Sequence, residues 1–147
     1  MWLQVLSTSM IGIMAGIYLI FSNAIMPALK EVKNGAAIMV KINKVILNAV
    51  FKIIFIFSAI SSAYLGLFAS DIDLAYRVAC VIFFIGTFVV TIFRNVPLNE
   101  RLKNAVDEQE DVNETWRLYL VSWVKWNHVR TASAILAVLL ASFSIHW

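Results

Sequence analysis

The stretch from Val5 to Pro27 contains no charged side chain, and that property limits the chain more than any other. A helix rises about 1.5 Å per residue, so roughly 20 mostly apolar residues cross about 30 Å of hydrocarbon. The run is long enough to span, and it exceeds a signal-peptide core of about 7–15 residues. Its start, Met-Trp-Leu-Gln, has no basic residue, so it reads as a retained span. Three further runs reach similar length, which leaves a soluble core with no place. Composition agrees: 61% of the 147 residues are hydrophobic and 14% charged, against roughly 45–50% and 25% in soluble domains.

These runs predict an all-α integral membrane protein: a four-helix bundle, up-down-up-down, with a short helix or loop excursion between spans three and four. The single domain covers residues 1–147, with spans at about 5–27, 45–69, 74–94 and 126–145. Helices two and four extend beyond their spans, from about residues 36 and 114. In helix two Lys41, Lys44, Asn48 and Lys52 fall on one stripe, so a continuous helix from Ala36 to Ala69 is expected, amphipathic first and apolar afterwards. Pro27 and Lys30 are expected to end the first span, and Arg94-Asn95-Val96-Pro97 the third. From Glu100 to Glu114 the acidic sequence reads as a solvated loop or surface helix.

Eleven of the twelve Lys and Arg residues lie in the first and third connections and their adjoining helix ends; the second connection holds only Arg77. The positive-inside rule then puts both long connections in the cytoplasm and both termini outside, with a bacterial inner (plasma) membrane as the expected location. The net charge of +3 is thus a topology signal, and no nucleic-acid partner is expected. The lipid bilayer is the expected partner. Gly12-x-x-x-Gly16 permits close helix contact within the bundle or between protomers, so a homo-oligomer is compatible with it.

Polar side chains at membrane depth are functional or act as interhelical glue. Here they collect on the basic side: Asn23, Asn43, Asn48, Asn95, Asn99, Asn127, His128 and Arg130. Trp116, Tyr119, Trp123, Trp126 and Arg130 follow three-and-four spacing, an aromatic face ending in a cation. For Trp116 and Trp126 an interfacial aromatic belt is the plainer explanation. The outer halves of the helices look apolar. His146 falls at the opposite side by topology.

The inventory excludes several chemistries. A bis-histidine haem needs two histidines in one layer, thiol exchange needs a second cysteine beside Cys80, and a di-metal bundle needs inward Glu-x-x-His. No acidic residue lies inside an apolar run, against a proton-coupled exporter, and no metal site is predicted. Neither a phosphate-binding glycine loop nor a Gly-x-Ser-x-Gly elbow occurs.

Asn95-Val-Pro97-Leu-Asn99-x-x-Leu102, followed by Trp123-x-x-Trp126-Asn127-His128-Val-Arg130-Thr131, resembles the anthrone oxygenase-like family of four-span membrane proteins. The Gly16-x-x-x-x-Phe21 and Pro27 region and Ile42-Asn43-x-x-Ile46-x-Asn48-x-x-Phe51 fit the same pattern, so the likeness covers nearly the whole chain. It implies an oxygenase or oxidoreductase-like protein acting on a small apolar aromatic, anthrone- or phenol-like, with dioxygen as co-substrate and no cofactor predicted. In the family's fungal polyketide branch an anthrone becomes an anthraquinone. The matching site assignment makes His128 the base, Asn95 and Asn99 oxyanion donors, and Arg130 an electrostatic stabiliser. Trp123, Trp126, Asn127, Asn48, Asn43 and Asn23 would line the substrate. The competing reading is a non-catalytic ligand-binding or interaction protein whose polar layer is structural; an open pocket or a closed, mutually satisfied network separates the two.

Overall fold

The computed structural model describes residues 1–144; His146 and the end of the fourth predicted span, Ile145, lie outside them. The described residues form five helices: α1 (Trp2–Glu31), α2 (Gly35–Ile46), α3 (Ala49–Leu67), α4 (Leu74–Glu108) and α5 (Val112–Ser144). Of these, α1, α3 and α4 are long and apolar enough to cross a membrane.

Neither proline ends its helix. Pro27 sits just after a π-helical segment at Phe21–Ile25, and Pro97 just after another at Thr91–Asn95. A proline ring clashes with the carbonyl four residues back in an α-helix. The wider π turn relieves that crowding, and both helices continue, α1 to Glu31 and α4 to Glu108. The acidic stretch beyond Pro97 is therefore mostly helix, with Leu102 buried, and it closes in a tight turn with Gln109 and Asp111 at positive φ.

The expected single helix from Ala36 to Ala69 is broken at Leu47 and Asn48. Asn48 takes an extended backbone (φ −75°, ψ 173°) and its side-chain oxygen accepts a hydrogen bond from Phe51 N at 3.1 Å. An asparagine at that position caps a helix start and leaves one backbone donor fewer unpaired. The amphipathic half thus becomes a separate helix, α2, which packs on the ends of α1 and α4. At the other end Asp73 caps α4 through Ala75 N at 2.8 Å. Arg77 donates to the carbonyls of Gly66 and Ala69 that close α3.

α1 packs on α3 and α5, and α4 also packs on α3 and α5. One core, around Ile11, Met14, Tyr76, Phe83, Ala134 and Ala137, fills the end away from the basic connections. That end is less apolar than its sequence suggests. Ser7 and Ser61 share a hydrogen bond at 2.9 Å; Thr8 meets Tyr76 at 3.1 Å, and Tyr76 donates to Gln4 O at 2.8 Å. These hydroxyls join α1, α3 and α4. A second core, around Phe21, Met26, Met39, Leu102, Tyr119 and Trp123, fills the basic end.

Candidate functional site at the basic end

The buried stripe of α5 runs Thr115, Tyr119, Trp123, Asn127, Arg130 or Thr131, then Ala134. It shares Tyr119, Trp123 and Arg130 with the expected face and differs at two positions, Thr115 for Trp116 and Asn127 for Trp126, each one residue or about 100° around the helix. That difference decides which candidates meet. Trp123 and Arg130 stay inside; Trp126 moves to a half-buried shoulder, where Arg94 lies 4.8 Å and Lys125 5.9 Å from its ring. His128 is exposed and does not line the neighbouring cavity.

Beside this stripe lies a cavity of about 730 Å³. Ile17, Tyr18 and Phe21 of α1 form one wall, Val40 and Asn43 of α2 another, and Thr91 and Asn99 of α4 a third; Trp123 and Arg130 close it on α5. Phe51 adds an edge from α3, and Lys41, Lys44, Glu100, Lys103 and Asp107 also line it. All five of these charged residues are exposed, so they mark the mouth.

Arg130 is only 6% exposed. Its guanidinium carbon lies 4.6 Å from the Tyr18 ring centroid and 5.2 Å from that of Trp123, so it makes cation–π contacts with both rings. Behind it the rings continue as a column, Trp123 on Tyr119 at 5.5 Å and Tyr119 on Trp116 at 5.6 Å. Arg130 Nη1 donates to Thr91 Oγ1 at 3.2 Å and Nη2 to Asn127 Oδ1, while Nε has no partner. No carboxylate is paired with it: among the described residues the one side-chain ion pair is the exposed Lys103–Glu100 contact at 3.9 Å.

The asparagines divide by task. Asn127 spends its amide on Tyr18 O (2.9 Å) and Ser22 Oγ (2.6 Å) and its oxygen on Arg130, so it positions the cation and touches no cavity space. Asn95, 1% exposed, donates to Trp123 O at 3.4 Å and leaves its Oδ1 unpaired; it too stands behind the wall. Asn99 lines the cavity and accepts from the Tyr119 hydroxyl at 2.8 Å. Asn43 lines it as well, beside the same phenol, with an unpartnered Nδ2. Burial holds the Tyr119 phenol above its ordinary range, partly offset by Asn43 and by the charge of Arg130. Asn48 is the α3 cap, and Asn23 is exposed; neither borders the cavity.

Tyr18, Phe21, Thr91 and the mouth charges are absent from the sequence-derived site. Tyr18 lies on the stripe Ser7, Ile11, Met14, Tyr18. A phenol on the buried face of an otherwise apolar helix was the signal available for it.

The chain is thus an all-helical protein with apolar helices of membrane-spanning length around a cavity with aromatic walls and one buried cation. A family model described as Anthrone oxygenase matches residues 36–140, and the chain belongs to that family. The matched region contains α3 and α4 whole and nearly all of α2 and α5, which supply every cavity wall except that of α1. No curated protein and no solved structure gives a match.

Proposed function

We propose that this protein is a four-span bundle, up-down-up-down, that oxygenates a small flat aromatic of the anthrone or phenol kind in the cavity at its basic end. α5 supplies the fourth span, the cavity mouth faces the cytoplasm, and both termini lie outside a bacterial inner membrane. The observation that carries the reading is the cavity itself. Its volume of about 730 Å³ falls in the range of small-molecule sites, about 300–1,000 Å³, and it opens where the polar layer lies. Family membership supports the same reaction class.

An anthrone has an acidic CH₂ between two aryl rings, with a conjugating carbonyl across the central ring. Loss of one proton gives an electron-rich enolate that reacts with dioxygen. One oxygen atom becomes the new carbonyl, and the other leaves as water with both hydrogens of the CH₂, so anthrone plus O₂ gives anthraquinone plus H₂O. Arg130 and the Asn43 amide stabilise the enolate oxygen, with Asn99 orienting Tyr119 at the same wall. Tyr18, Phe21 and Trp123 hold the rings. His128 has no part in this reading, because it is exposed and does not line this cavity. The proton leaves through the mouth, where Glu100 and Asp107 are the exposed carboxylates.

A second reading, a ligand-binding protein without turnover, draws on the same placement: with His128 outside, neither imidazole nor carboxylate lies beside Arg130. Oxygen uptake separates the two. Protein in lipid nanodiscs given an anthrone consumes one O₂ per quinone formed, followed by mass spectrometry. Uptake equal to that of empty nanodiscs would sink the enzymatic reading.

A further inference from the structure

Among the described residues the charge of Arg130 has no counter-ion. A guanidinium stays protonated in proteins, and a buried charge is costly unless it is paired. The rings of Tyr18 and Trp123 and two neutral hydrogen-bond acceptors offset part of that cost. Those two bonds occupy two of its five N–H donors, and its nearest electrostatic neighbours are the phenols of Tyr18 and Tyr119. The group also lines a cavity large enough for a ligand.

We infer that the cavity takes its ligand as an anion: an aromatic compound carrying a full oxyanion, phenolate or carboxylate, that completes the ion pair with Arg130. This deepens the oxygenase reading by naming the charge state of the substrate, and it rests on that reading only in placing an aromatic ligand in the cavity. Three features converge on it. Asn127 on the same helix and Thr91 on α4 both fix the guanidinium, so the receptor is already oriented before a ligand arrives. The neighbouring rings of Tyr18 and Trp123 suit a flat body attached to the charged oxygen. At the mouth Lys41 and Lys44 form no ion pair and favour entry of an anion. A substrate that arrives as the phenolate conjugated with its reacting carbon also removes the need for a base beside Arg130.

The test measures binding in nanodiscs of zwitterionic lipid, with empty nanodiscs subtracting partition into the bilayer. The probes are anthracene-carboxylate against anthracene-methanol, and dinitrophenolate against dinitroanisole. Wild-type protein is expected to favour the anion of at least one pair roughly tenfold or more, the worth of a charge-assisted hydrogen bond. The pair in which this occurs identifies the oxyanion as carboxylate or phenolate. The preference is lost in Arg130→Met and largely kept in Arg130→Lys. If Arg130→Met does not fold, the wild-type selectivity alone decides. Equal or tighter binding of both neutral probes overturns the anion inference while leaving an aromatic cavity and the oxygenase reading standing. Failure of all four probes to bind overturns both.

Discussion

The two ends of this molecule treat buried polar groups in opposite ways. Away from the basic connections, Ser7, Ser61, Thr8 and Tyr76 bond to one another and to a backbone carbonyl, and of the buried hydroxyls there only Ser62 Oγ lacks a partner. At the basic end Tyr18 OH, Asn43 Nδ2, Asn95 Oδ1, Trp123 Nε1 and Arg130 Nε all lack one, and a cavity lies beside them. In lipid an unsatisfied polar group costs several kcal/mol by order of magnitude, so hydroxyls used only to join helices pair off. The hydroxyl end does so, and small side chains let its helices meet closely. The basic end retains its cost, as groups awaiting a ligand do.

Substitutions can break this contrast. Arg130→Met should have the largest effect, lowering turnover on the order of 10²–10³-fold, the loss seen when one oxyanion-stabilising donor is removed. Steady-state oxygen uptake with an anthrone measures it, and a loss under fivefold would remove Arg130 from the reacting centre. Asn127→Ala comes next. It frees Arg130 and strips partners from Tyr18 O and Ser22, so it should cost about 1–3 kcal/mol of stability and lower kcat more than it raises KM; thermal unfolding together with kinetics reads both.

Tyr119→Phe removes the bond to Asn99 and should cost about 0.5–1.5 kcal/mol, with a small change in turnover. It also has a pH signature. The phenol is raised above its ordinary value of 10.0 in the folded protein by burial. Above that pH the unfolded chain releases the proton first, so the folded state loses stability as pH rises. The Phe variant should show a shallower alkaline decline in unfolding temperature than wild type. Ser7→Ala, at the opposite end, should cost about 0.6 kcal/mol, typical of a hydrogen bond between membrane helices, and leave turnover unchanged. The smallest effect belongs to His128→Ala, expected within twofold of wild type in turnover; a loss of orders of magnitude would return the imidazole to the chemistry.

The helical class, three apolar spans and the basic end were legible in the sequence because each depends on composition summed over many residues. The site was legible in part. Trp123, Arg130, Asn99 and Asn43 meet at the cavity as the amide layer suggested, and the hydrogen bonds at Asn95 and Asn127 place both just behind it. What failed depends on local rotation or on a residue's double use. Asn48 fits an amphipathic stripe and a helix cap equally well, and only backbone geometry chooses the cap. His128 differs from its buried neighbour Asn127 by one position, which reverses its side of α5. Pro27 and Pro97 look like stops, but π segments absorb them. Ser7 and Tyr76 are separated by most of a helix pair, so no local pattern announces that they share a cluster.

Photo-labelling tests the central claim most directly. A diazirine-bearing anthracene ligand is irradiated with the protein in nanodiscs and the labelled residues are mapped by mass spectrometry. The cavity predicts labels on Tyr18, Phe21, Val40 and Trp123, suppressed by excess unlabelled ligand. Labels on Ile56, Ile60, Phe84 and Phe88, which line an apolar groove between α3 and α4, or spread without competition over the exposed faces of the helices, would contradict it.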